Sequence, residues 1–247
     1  MDKSIMKNNK TSFIIILLLY MICMISFFYF SKKTHQNRNL KKFNIVIDSL
    51  SKNHFVNEEI IKNILFYKTK KIEKKIGQLC ILRMEKKLNH YPFIKKSEVF
   101  LSVDGTLNIK IWQKEPILRI KNGNKESYLT KDAENLELSS SFSSKVVLAK
   151  GPFSKEEKKY LTNLVKFINS DELLKNQIIS IKKNNKNSFV LIPKIGNHHI
   201  ILGNIKDFKN KLNKLKAFYN QYLNKIDINQ YKSIDLQYKD QVVAKKR

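Results

Sequence analysis

Residues 13–30 (FIIILLLYMICMISFFYF) carry no charged side chain over 18 positions. As a helix rising about 1.5 Å per residue, this run spans roughly 27 Å, close to the hydrocarbon thickness of a bilayer. A cleaved signal peptide would have a shorter apolar region and small residues before its cleavage site. Here Phe27, Phe28, Tyr29 and Phe30 precede Ser31 and Lys32, which predicts an uncleaved anchor. No second run of this length occurs, so the chain is expected to cross a membrane once, with residues 1–12 as a tail, 13–30 as the span and 31–41 as a polar juxtamembrane linker. Flanking charge does not set the orientation. Lys3, Lys7 and Lys10 precede the span, and Lys32, Lys33, Arg38, Lys41 and Lys42 follow it, while long domains translocate largely regardless of such charge.

The formal net charge of +27 suggests an anionic partner, but its make-up argues against base readout. Of the 48 basic residues only Arg38, Arg83, Arg119 and Arg247 are arginine, the side chain best suited to bidentate phosphate and base contacts. Lysine is scattered among abundant Asn and Ile, as codon drift toward AT-rich triplets would scatter it. Attraction to anionic lipid or polymer surfaces remains. Cys23 and Cys80 show no CxxC or metal spacing and are expected to be packed thiols.

Beyond the linker, Phe43, Ile45 and Ile47 alternate as on a half-buried strand. Asn57-Glu58-Glu59 offers a cap and two acids for a helix running to about Tyr67, and residues 77–89 place Ile81, Met84 and Leu88 on one face of a second. Val99, Leu101 and Val103 alternate, Asp104-Gly105 reads as a two-residue type I′ turn, and Leu107, Ile109 and Ile111 alternate on the return. The result is a βααββ unit over residues 42–113. Glu115-Pro116 then marks a boundary.

Residues 114–247 read as a second domain of short strands. Strands are expected at 117–120, 128–129, 146–148, 178–181, 189–192 and 199–202, with terminal strands at 233–238 and 241–244. Ser154 and Glu157 have capping-box spacing before the stripe Leu161, Leu164, Val165 and Ile168. Phe208, Leu212, Leu215, Tyr219 and Tyr222 mark another amphipathic helix. The fold class is α+β, the second domain mainly antiparallel.

No catalytic constellation emerges. HExxH, GxSxG, P-loop and GxGxxG motifs do not occur, and adjacent His198 and His199 face opposite sides of a strand. Trp112 is out of phase with Ile109 and Ile111, either a surface aromatic or a packing residue between domains. No enzyme, cofactor or metal is expected.

In this order the features resemble the bacterial cell-division family FtsQ (DivIB), and more closely its divergent Bacteroidetes forms. A POTRA-like domain is matched by FNIVIDSLSKNHFVNEEIIKNIL and LCILRMEKKLNHYPFIKKSEVFLSVDGTLNIKIWQKEPILRI. In the latter, Leu88, Pro92, Ile94, Val99, Gly105, Thr106, Leu107, Ile109, Ile111, Gln113 and Pro116 occupy the positions of the family pattern. Similar C-terminal pieces are QIISIKKNNKNSFVLIPKIGNHHIILG, KNKLNKLKAFYNQYL and YKSIDLQYKDQVVAKK. The family's Y-x-D-x-x-G turn is altered here, with Asp132 and Asn135 shifted or substituted, so no role is carried to that loop.

The resemblance implies a non-enzymatic scaffold in the cell inner membrane, N-terminus cytoplasmic and large domain periplasmic. Such a scaffold recruits FtsB (DivIC)-like and FtsL-like division proteins to the septum, binding neither a specific nucleic acid nor a small-molecule substrate. In the family, the last strand pairs with a strand of FtsB. Carried over, this implies a partner site on Asp235, Leu236, Tyr238, Gln241, Val242 and Val243, expected as an open edge strand. The alternatives are a POTRA-type chaperone of outer-membrane protein assembly or translocation, and a secreted basic polymer-binding protein.

Overall fold

The computed structural model describes residues 3–48, 53–66, 75–184, 188–222 and 227–247. The chain forms two units, Met1–Asp48 with Asn57–Trp112, and Ser49–Val56 with Gln113–Arg247.

The first unit opens with helix α1 (Lys3–Asn37), whose stretch Phe13–Asn37 is long and apolar enough to cross a membrane. The helix runs on through residues 31–37, the first part of the polar juxtamembrane linker. No Gly or Pro interrupts it there, and the Thr34 hydroxyl donates back to the Phe30 carbonyl across 2.9 Å. Strand β1 (Lys42–Ile47) alternates as expected. Helix α2 (Glu58–Phe66) is capped by Asn57, whose Oδ1 accepts from the Ile60 N–H at 2.8 Å. Its expected end at Tyr67 lies outside the described residues.

The next helix, α3 (Ile81–Asn89), begins later than residue 77, because a 3₁₀ turn at Ile76–Gln78 and an extended Leu79 come first. A Cβ on Gly77 would lie 2.9 Å from the Cβ of Gln36, so glycine permits this close approach. Cys80 is exposed rather than packed, because it precedes the helix instead of lying on its buried face. Cys23, on the lipid-length helix, is likewise exposed to the surroundings of the chain.

Strands β2 (Ile94–Leu101) and β3 (Thr106–Gln113) complete a sheet of order β1-β3-β2. Strand β1 pairs parallel with β3, from Lys42↔Thr106 to Ile47↔Ile111. Ile61, Leu65, Met84, Leu88, Leu107, Ile109 and Ile111 are buried and supply the core. Each such side chain contributes on the order of 1.5–3 kcal/mol by leaving water.

The β2–β3 turn differs from the two-residue type I′ expected. Gly105 N–H donates to the Ser102 carbonyl at 3.0 Å, Ser102 N–H to the Thr106 carbonyl at 2.9 Å, and of the loop residues only Gly105 has positive φ, 89°. This is a type I turn closed by a left-handed glycine, a three-residue loop. Val103, read as the inward end of β2, therefore stands at its tip and is 89% exposed.

The second unit contains β4 (Pro116–Asn122), β5 (Lys125–Thr130), β6 (Asn135–Leu136), β7 (Val147–Lys150), α4 (Lys155–Asn169), α5 (Glu172–Gln177), β8 (Ile178–Lys183), β9 (Phe189–Pro193), β10 (His199–Gly203), α6 (Phe208–Tyr222), β11 (Tyr231–Asp235) and β12 (Val243–Lys246). They form a nine-stranded sheet of order β12-β11-β10-β9-β8-β7-β4-β5-β6. The pairs β4–β7, β7–β8 and β10–β11 are parallel and the other five antiparallel. The capping box forms: the Ser154 hydroxyl accepts from Glu157 N–H at 3.2 Å, and the Glu157 carboxylate from Ser154 N–H at 2.9 Å. The α4 stripe Leu161, Leu164, Val165 and Ile168 joins Phe208, Leu212, Leu215 and Tyr219 of α6 in one core with Leu118, Ile181, Leu191, Ile200 and Ile234 of the sheet.

The turn between β5 and β6 places its left-handed residue at Ala133, φ 60°, not at Asn135, which opens β6. Counted from Tyr128, Ala133 stands at the glycine of Y-x-D-x-x-G and Thr130 at its aspartate. Thr130 Oγ1 accepts from the N–H groups of Asp132 (3.3 Å) and Glu134 (3.2 Å), as a carboxylate would.

Candidate functional site

The C-terminal segment ends the large sheet. Strand β11 lies between β10 and β12, and β12 is the edge. Asp235 and Val243 are cross-strand partners, so residues 235–243 form a hairpin rather than one edge strand. The reason is Asp240, whose φ of 57° reverses the chain.

The six expected partner residues consequently divide. Tyr238 and Gln241 are exposed at the turn, and Val243 is exposed at the start of β12. Asp235 faces its Val243 partner. Leu236 is fully buried, and half-buried Val242 packs against the core. A partner can reach Tyr238, Gln241 and Val243 directly, while Leu236 and Val242 anchor the hairpin.

Backbone alternation fixes which edge groups are open. Leu236 N–H donates to the Ile201 carbonyl of β10 at 3.0 Å, so Ile234 also faces β10 while Asp235 and Ser233 face β12. Their partners Val243 and Lys245 direct their backbone groups inward, as does Arg247, whose N–H donates to the Gln230 carbonyl at 2.9 Å. The N–H and C=O groups of Ala244 and Lys246 point away from the sheet.

Two residues not singled out by the sequence, Lys214 and Arg247, hold this edge, and a third, Lys211, ties α6 to the end of β10. The Lys214 ammonium on α6 donates to the carbonyls of Leu236 (3.2 Å), Tyr238 and Gln241 (3.4 Å). Lys211 Nζ donates to the carbonyls of Leu202 (2.9 Å) and Asn204 (2.8 Å), and desolvation lowers its pKa. Arg247 ties the end of β12 to the carbonyls of Asn229 (3.0 Å) and Asn197 (2.9 Å). Local patterns carry no trace of the Lys214 and Arg247 contacts, because each meets a segment distant in sequence.

An open groove of about 650 Å³ lies on the face of β9–β12, lined among others by His199, Ile201, Asp235, Tyr238, Val243 and Lys245. The opposite-face reading of the histidine pair holds: His199 is exposed and His198 is 1% exposed. His198 Nε2 shares a 2.8 Å hydrogen bond with the Tyr219 hydroxyl, and its Nδ1 has no partner. Burial pushes the His198 pKa from 6.5 to about 4, with His199 adding a smaller repulsion, and burial raises that of Tyr219. Trp112 is half-buried beneath the Lys96 ammonium, 5.0 Å from its ring centroid. Among the described residues no group of three or more His, Cys, Asp and Glu is placed to hold a metal.

A family model described as FtsQ/DivIB, C-terminal related, matches residues 115–245, and a POTRA-like domain model matches residues 39–112. The chain belongs to the FtsQ/DivIB family. No curated protein matches it. Membership joins the two units to cell division, and the one helix of membrane-spanning length among the described residues fits a single-pass membrane protein. FtsQ/DivIB and POTRA domains are not enzymes, and protein–protein contact is the business of this family.

Proposed function

We propose that this FtsQ/DivIB-family chain is a non-enzymatic scaffold of the septum that captures an FtsB (DivIC)-like strand on β12 and, through it, an FtsL-like partner. The tail of residues 1–12 is cytoplasmic, residues 13–30 cross the inner membrane, and both folded parts, residues 42–113 and 114–247, are periplasmic. The observation that carries this reading is the open edge of β12, with Ala244 and Lys246 facing outward. An added strand satisfies those groups, and Tyr238, Gln241 and Val243 supply side-chain selection. The edge is only four residues long and bears Lys245 and Lys246, features that discourage indiscriminate strand pairing.

Adjacent prolines test it. Ala244→Pro removes an outward donor and leaves the ladder to β11 intact, whereas Lys245→Pro removes an inward one. The expected result is that Ala244→Pro melts like the parent yet no longer binds an FtsB-type segment in titration, while Lys245→Pro melts lower. Undiminished binding by folded Ala244→Pro protein rules strand addition out.

A further inference from the structure

The parallel pairing of β1 with β3 orients the small domain relative to the membrane helix. Strand β1 starts at Lys42, five residues after α1 ends, and Lys42 is paired with Thr106, the first residue of β3. The β2–β3 hairpin tip therefore lies at the end of the domain from which the membrane helix leaves.

Direct contacts hold it there. Lys41 N–H donates to the Gly105 carbonyl at 3.1 Å, Ile76 N–H donates to the Arg38 carbonyl at 2.9 Å, and Asn39 bridges antiparallel to Lys75. Phe30, the last residue of the apolar run, is seven residues before Asn37, about 10 Å along a helix. The headgroup layer on each side of a bilayer is itself roughly 5–7 Å deep. The end of α1 thus stands roughly 3–5 Å above that layer, and the tip, tied to Lys41, is held just above the headgroups.

The chemistry of that end is unusual for a surface in water. Val103 is 89% exposed at the tip, and Leu82, in the first turn of the neighbouring end of α3, is 63% exposed. Arg38, Lys41 and Lys75 are exposed on the segments joined at this end, and Lys32 and Lys33 are exposed on the stretch of α1 between it and the apolar run. The one acid of the loop, Asp104, is held ionised by Thr106, accepting from its N–H at 3.1 Å and its hydroxyl at 2.7 Å, and the Lys41 ammonium offsets its charge.

We propose that this end of the POTRA-like unit is a lipid-contacting surface. Val103 and Leu82 enter the headgroup layer, and the surrounding ammonium and guanidinium groups bind anionic lipid phosphates. The occupant follows from continuity with the span and from charge. Basic residues are drawn to an anionic lipid surface, and exposed apolar side chains add to this by leaving water. The small domain would then stand on the bilayer at a set height instead of swinging freely on a tether. This rests on the single-span assignment and is independent of strand capture at β12.

The test uses the full chain in vesicles of phosphatidylcholine alone or with phosphatidylglycerol. Cys23 and Cys80 are replaced by Ser, and a single environment-sensitive dye is placed at Val103→Cys or, at the far end of β2, at Lys95→Cys. Flotation of the vesicles first establishes that the anchor is inserted. The expected result is quenching by headgroup-labelled lipid at position 103 and not at 95, stronger with phosphatidylglycerol and weakened by Lys41→Glu with Lys75→Glu. Equal quenching at the two positions, or quenching at 103 indifferent to phosphatidylglycerol, overturns the proposal.

Discussion

The Lys214 ammonium donates to the Leu236 carbonyl across 3.2 Å, so one side chain of α6 holds the turn that presents Tyr238. Replacing it with Met keeps the apolar stem and removes the donor from three carbonyls. Lys214→Met should lower stability by about 1.5–3 kcal/mol, the range for hydrogen bonds to a charged group, and weaken partner binding as the turn loosens. Denaturant melts and partner titration on the same preparation measure both. A variant unchanged in both would show that the turn holds itself.

Tyr238 is half-exposed and contributes little to the core. Tyr238→Ala should leave the melting temperature within error and weaken an FtsB-type partner by about 1–3 kcal/mol, as truncating an interface aromatic does. Isothermal titration reads this directly. Normal affinity would move the interface away from the turn.

His198 makes stability depend on pH. Its folded pKa of about 4 lies below the ordinary 6.5, because burial disfavours the imidazolium. The unfolded chain therefore binds the proton more readily. The stabilising contribution is complete above pH 6.5 and is lost as pH falls from 6.5 toward 4. The gap between the folded and unfolded values corresponds to a loss of about 3 kcal/mol at most. Parent protein and His198→Gln should give urea curves that converge as pH drops through that window. Parallel curves would show that the histidine does not contribute.

Ala133 adopts φ 60°, where a side chain costs roughly 1 kcal/mol and glycine is unstrained. Ala133→Gly should raise stability by a few tenths to about 1 kcal/mol, less what glycine adds to unfolded-chain entropy. A thermal midpoint that falls would mean that the entropy outweighs the strain.

Elements specified by neighbours in the chain are legible in the sequence alone. Ser154 and Glu157 cap α4 because both partners lie within one turn, and the α4 and α6 stripes are buried because helical spacing puts them on one face. The left-handed glycine of the β2–β3 loop is legible too, but not its turn type, since Asp104-Gly105 serves two-residue and three-residue loops alike. The helical extension through residues 31–37 is hidden because a polar helix continued from a span has no apolar period to mark it. At the candidate site the family resemblance implies six residues on one open strand, of which Tyr238, Gln241 and Val243 are exposed. Only the tertiary structure decides that Leu236 is buried, that β11 lies inside the sheet, and that Ala244 and Lys246 face outward. Those facts depend on β10 and β11 pairing in parallel across α6 and on Lys214 reaching the hairpin. Contacts between segments far apart in the chain are selected by the packing of the whole core, which local periodicity does not encode.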